Sequence, residues 1–297
     1  MKIKRTGITI LAAAALLSTA ARVDDRQKAP LGDCRKEISL DEIEGMRPRE
    51  KGETPQGLAI SDGVLFALYH GGCCAAIDLE TASLLAEFPI DGAAGTHCNN
   101  ASFGVERADS LSPFPLLYVS ECFAPNRCFV EDITVGSSRL VATIIYTGSG
   151  IDSFCDWCID RDNRSIYAYG RTPEKGVVLK CFRLPTLADA DENGIIELGD
   201  KDIEKEFVYP PGFFGIAQGS HIHNGLLYLP TGVPHQGHCR INIVSLEDGS
   251  LIYSHDIDDI ALEPEGVCAV GNRLWQFFGG GRGTVCSFEI ASEEKKL

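Results

Sequence analysis

Three segments of the chain place an amide or an acid directly before glycine at what reads as the start of a strand: Gln56-Gly57, Gln218-Gly219 and Glu265-Gly266. Two further strand starts carry His97 with Asn99, and Asp156. A second set falls on loops that follow the next strand in each segment: His70, Glu121 with Arg127, Arg171, His235 with His238, and Arg282. Amides and carboxylates bind hydroxyls, amines and cations, arginines bind anionic groups, and histidines exchange protons near neutrality. Brought together, these types make a polar small-ligand site. If Glu265, Asp156 and Asn99 shared one divalent cation, they would instead suit hydrolysis, with the ion polarising a carbonyl or activating water. The strand-opening side chains also have a purely structural use, as hydrogen-bond partners for neighbouring backbones.

Other residues carry separate signals. The run Asp189-Ala-Asp191-Glu-Asn193-Gly194-Ile195-Ile196-Glu197-Leu198-Gly199-Asp200 spaces oxygen donors along a twelve-residue loop, with glycine sixth and an apolar residue eighth. It resembles the calcium loops of EF-hands and dockerins. That likeness implies a structural Ca2+ held by Asp189, Asp191, Asn193, the Ile195 carbonyl, Glu197 and Asp200. It departs in ending on Asp rather than Glu and in having Leu184-Pro185 where a helix would enter, so an acidic insertion between strands is the other reading. His221-Ile-His223 places two rings on one side of a strand, and His221 stands where other repeats have Ala59 and Cys268, which predicts a buried histidine. Twelve cysteines suggest disulfides or buried thiols; Cys122 and Cys128 bracket a turn suited to a local bridge, and Cys155-Asp-Trp-Cys158 has redox spacing without the surrounding βαβ pattern.

The elements that must position these residues emerge when the segments are set beneath one another. Gln56 to Phe66, Gln218 to Tyr228 and Glu265 to Trp275 share one pattern of short strand, polar turn and Leu-aromatic strand. Looser copies begin at His97 and Cys155, and each copy continues into a third strand. Five such units over about 240 residues have the spacing of propeller blades. The fold expected is therefore all-β, a single five-bladed β-propeller over residues 51–297. The last unit ends after three strands, and the stretch Lys36 to Ile43 within an N-terminal segment (22–50) would supply the fourth and close the ring. In this geometry the starts of innermost strands and the loops between second and third strands converge at one end of the axis. The turns at the other end read as ordinary hairpins. In outline the repeat resembles YVTN-like and SMP-30-like propellers, through its Gln-Gly or Glu-Gly openings and its Leu-Tyr/Phe/Trp second strands. The SMP-30-like enzymes imply the metal-binding use of Glu265, Asp156 and Asn99.

Residues 1–21 combine Lys2, Lys4 and Arg5, an apolar run from Ile8 to Leu17 and a small-residue zone, which reads as a secretory signal peptide. That run is too short to span a bilayer. The segment holds those three cations and no acid, so the chain beyond it has a formal charge of −18 against −15 for the whole. Such a charge opposes general binding to nucleic acid or anionic membrane. No P-loop, dinucleotide fingerprint or serine-hydrolase elbow is present, and no organic cofactor is expected. The expectation is an exported protein that binds a small-molecule or glycan ligand at one axial end without catalysis, with the metal-dependent hydrolase as the alternative.

Overall fold

The computed structural model describes residues 30–152 and 155–291; the expected signal peptide and the start of the N-terminal segment lie outside them. Five antiparallel sheets surround one axis as a five-bladed β-propeller, and among the described residues the only helical elements are short 3-10 turns. Blade I comprises Pro55–Ser61, Val64–Tyr69, Cys73–Asp78 and Ser83–Pro89. Blade II comprises Cys98–Phe103, Leu117–Glu121, Cys128–Ile133 and Ser138–Tyr146. Blade III runs Cys155–Asp160, Ser165–Arg171, Val177–Arg183 and Lys205–Tyr209. Blade IV is His221–His223, Leu226–Thr231, Arg240–Ser245 and Leu251–Asp256. Blade V has Pro264–Val270, Arg273–Phe278 and Thr284–Glu289, and its outer strand is the N-terminal Arg35–Ser39.

Ring closure thus follows the expected first-with-last pairing, with Arg35 opposite Ser287 and Ser39 opposite Thr284. Arg282 secures it by bonding to the Asp41 and Met46 carbonyls and to the Asp41 carboxylate. The acidic insertion does more than bridge two strands. Its Ile195–Leu198 segment leaves blade III and pairs in parallel with Ser138–Tyr146, adding a fifth strand to the edge of blade II. Ile196 and Leu198 then enter the packing between the two blades.

Because side chains alternate along a strand, a middle strand buries both faces. In Val64–Tyr69, Phe66 and Leu68 pack toward blade II while Leu65, Ala67 and Tyr69 pack toward blade V. The same alternation around the ring gives five apolar layers, one between each neighbouring pair of blades. Within blade III, Cys155 enters the layer shared with blade II and Cys158 the layer shared with blade IV, so these two thiols point apart and cannot act as a redox pair. The Cys122–Cys128 bridge is also absent: the hairpin register sets Ser120 opposite Cys128, and both cysteines are buried thiols. All twelve cysteines are unpaired.

The axis is closed by backbone. A Cβ on Gly266 would overlap the Leu58 nitrogen and lie 2.6 Å from the Gln56 carbonyl oxygen; one on Gly57 would lie 3.1 Å from the Asn100 carbonyl carbon. Gly219 meets the Glu265 carbonyl in the same way and has φ +111. Asn100, fully buried beside them, donates to the Trp157 carbonyl at 2.9 Å and to the Ser220 hydroxyl at 3.1 Å, tying blades II, III and IV. Overpacking against backbone has no flexible neighbour to absorb it. Gly266→Ala is therefore expected to cost about 3 kcal/mol or more in urea denaturation. Gly237→Ala, in a loop with nothing within 4 Å, should stay within about 0.5 kcal/mol.

Candidate functional site

Where the innermost strands begin, the ring opens into a cavity of about 540 Å³. Gln56, His97, Gln218, His235 and Glu265 line it, five of the side chains expected to converge, joined by Thr54 and Glu263. The walls are two loops: Val233 to His235, between the second and third strands of blade IV, and Ala261 to Glu263, which leads into blade V. The Gln218 amide donates to Glu263 Oε1 at 2.7 Å and to the Gly232 carbonyl at 3.1 Å, so one glutamine joins both walls. The Gln56 amide donates to the Thr54 hydroxyl at 3.3 Å, leaving Gln56 Oε1 buried without a partner among the described residues.

Glu265 is 4% exposed, and burial, then the neighbouring Glu263, push its carboxyl well above the usual range. It has no ion-pair partner among the described residues and stands beside a second carboxylate, so its protonated form is favoured. Across the opening, His97 Nδ1 and His70 Nδ1 stand 2.9 Å apart, with rings in edge contact, and His97 also meets Phe123. Two ring nitrogens at that distance share one hydrogen, and only one can donate. Burial, then His70, hold the His97 imidazole below its ordinary range, so it is a neutral group in the pocket wall.

The remaining expected residues lie elsewhere. Asn99 and Asp156 are bonded to each other at 2.8 Å, both buried, and do not line the cavity that holds Glu265. Glu121 is held in a two-pronged pair by Arg127 at 2.6 and 2.8 Å. Arg171 ends a blade III strand away from the pocket, and Arg282 is spent on the N-terminal segment. His238 binds Asp258 at 2.5 Å, and with Asp256 forms an exposed cluster tying the two wall loops behind the pocket.

The 189–200 loop does not fit a calcium cage in this conformation. Asp189 is engaged by Arg183 and Thr186, Asp191 caps the Asn193 and Ile195 amides, and Asp200 takes Tyr146 and Ser149. Asp191 also donates its own amide to the Ile195 carbonyl, while Glu197 stands exposed on the added strand. Among the described residues, the carboxylates of this loop do not gather into a metal-ligating group. What the loop's oxygens do is build the turn that launches the crossing strand.

Thr54 and Glu263 escaped the alignment, yet the signal was present: Thr54-Pro55-Gln56-Gly57 and Glu263-Pro264-Glu265-Gly266 are one motif, begun two residues earlier than the repeat was read. Residues two apart on an extended chain face the same way.

The fold and site define a five-bladed propeller with a polar, acid-bearing pocket at one axial end. No family model and no curated protein matches the chain. Among solved structures, it is similar to the glutaminyl cyclase of Myxococcus xanthus, with 12% identity and a TM-score of 0.52 over 82% of this chain and 94% of that one. It is also similar to the tail fiber of Staphylococcus aureus phage P68, with 16% identity and a TM-score of 0.53 over 88% of this chain and 53% of that one. At these identities the likeness is one of fold.

Asp156 supplies a test of the axial electrostatics. Its carboxyl is fully buried, with Oδ1 unpartnered among the described residues, and burial raises it to about 7 against the Asn99 hydrogen bond that lowers it. The folded protein therefore keeps this proton up to about pH 7, whereas the unfolded chain releases it near pH 4. Between those values the unfolded state binds fewer protons, so stability falls as pH rises, by up to about 1.4 kcal/mol per unit. Asp156→Asn should remove this slope: its stability relative to the parent rises between pH 4 and 7 and is level above. Equilibrium denaturation at stepped pH measures the difference, and a flat difference would refute the assignment.

Proposed function

We propose that this chain is an exported propeller-type binding protein whose axial pocket takes a small polar ligand bearing an amine or another cationic donor. The observation that carries this reading is the buried, unpaired Glu265 beside Glu263 at the floor and wall of a ligand-sized cavity. A carboxyl desolvated without a partner costs free energy, and a ligand cation relieves that cost while Glu263 adds a second charge. Gln56 Oε1 offers an acceptor for a ligand N–H or O–H, and neutral His97 offers a further polar contact. Val233, Pro234 and Leu262 supply apolar wall for a carbon skeleton. The strongly acidic chain favours approach of cations over anions to this end. The range of possible ligands narrows accordingly to amino compounds, amino sugars and peptide amino termini, rather than nucleic acid or lipid.

Calorimetric titration with a primary diamine, an amino sugar, a neutral hexose and a glutaminyl peptide tests the reading; the last is included because the fold is shared with an enzyme named for that group. The amine-bearing ligands should bind in preference to the neutral hexose. Glu265→Gln should lower their affinity at least tenfold, the usual scale for removing one member of a buried charge pair. Because the ligand requires ionised Glu265, affinity should rise with pH by up to about tenfold per unit until that carboxyl is ionised in the free protein. Preference for the neutral hexose, or unchanged amine affinity in Glu265→Gln, would overturn the reading.

A further inference from the structure

The opposite end of the axis holds a larger cavity, about 660 Å³, framed by the turns that the sequence presents as plain hairpins. All five blades contribute to it, including Asp62 of blade I, Arg107 of blade II, Arg161 of blade III, His221 of blade IV and Cys268 of blade V. Arg161 sits just past the end of the innermost strand of blade III, yet its guanidinium acts on both His221 and Cys268, one and two blades further round the ring. It has no salt bridge or hydrogen bond from its side chain among the described residues.

The groups that Arg161 reaches carry no negative charge to balance it. Burial is the main cause that lowers the His221 imidazole to about 3, followed by His223 and Arg161, so its ring is neutral. Its Nδ1 is buried without a hydrogen-bond partner among the described residues. Burial raises the Cys268 thiol to about 12, so it too is neutral. The acids of this cavity, Asp62 and Asp162, stand at the exposed rim, and Asp62 accepts from the Ser61 hydroxyl. The cavity therefore combines an exposed guanidinium, paired with no acid among the described residues, and an orphaned imidazole nitrogen below it, two groups that can hold an oxyanion together.

We propose that this second axial cavity binds a small oxyanion-bearing molecule, a carboxylate or phosphate, with Arg161 as the charge partner and His221 Nδ1 as a hydrogen-bonding partner to the same ligand. The two ends of the propeller would then select opposite charges, amines at the Glu265 end and oxyanions at the Arg161 end. This proposal does not depend on the reading of the Glu265 pocket.

Titration of the full chain with inorganic phosphate and, separately, with succinate tests it, followed by calorimetry and by chemical-shift changes of the His221 ring. Binding of either probe, with a loss of tenfold or more in Arg161→Gln and a perturbed His221 resonance, supports the site and tells a phosphate ligand from a carboxylate one. Arg161 is exposed, so this variant should keep the parent melting temperature. Absence of binding by both probes, or equal affinity in Arg161→Gln, overturns the proposal. If His221→Gln fails to fold, the resonance shift in the parent protein still reads the contact.

Discussion

Everything in this molecule depends on how closely five innermost strands can approach one axis. With five blades the ring is tight enough that backbone meets backbone, and Gly57, Gly219 and Gly266 stand where any side chain would collide with a neighbouring strand. The glycine of each Gln-Gly or Glu-Gly pair closes the axis, and the residue before it is thereby fixed at the mouth. Asn100 completes the closure from a blade that lacks the pair, using its amide to bind the backbone of blade III and the hydroxyl of Ser220. One constraint thus seals the centre and presents Gln56, Gln218 and Glu265 side by side.

Closing the axis with backbone has an electrostatic consequence. The two cavities are separated by closely packed backbone at Gly57, Gly219 and Gly266. At one end burial favours the protonated form of Glu265; at the other it holds the His221 imidazole well below its ordinary range beside an unpaired guanidinium. The wall loops of the first cavity are not loose. Gln218 joins them from the floor, and the bond of His238 to Asp258 joins them from behind. A pocket held this way is organised before its ligand comes, which reduces the ordering cost of binding.

The architecture was legible in the sequence because a propeller repeats its own instructions. The turn after each innermost strand, the Leu-aromatic second strand and the missing fourth strand of blade V are all local or periodic, and each stands where it was expected. The site was half legible. Blade geometry puts Gln56, His97, Gln218, His235 and Glu265 around one cavity, since strand position determines which end they occupy. Glu121, His238 and Arg282 do not line it, and each has a partner: Arg127, Asp258 and the N-terminal segment. Pairing is a property of side-chain reach in three dimensions and leaves no mark in a repeat. The acidic loop is ambiguous for a related reason. Its carboxylates serve as turn caps and anchors for a strand that crosses to the next blade, a use whose spacing is indistinguishable from that of an ion-binding loop.

Hydrogen-bond satisfaction also bears on where a ligand would be held. Buried polar groups in folded proteins are nearly always partnered, because leaving one unmade costs about 1–3 kcal/mol. The axial network obeys this rule at Asn100, Ser120 and Ser220. It is broken at Gln56 Oε1 and His221 Nδ1, each in the wall of an axial cavity, and also at Asp156 Oδ1, Ser102 Oγ and Gln276 Oε1, which line neither cavity. Gln56 and His221 differ from the other orphans in lining a cavity, so at these two a ligand's own hydrogen bonds would remove the cost.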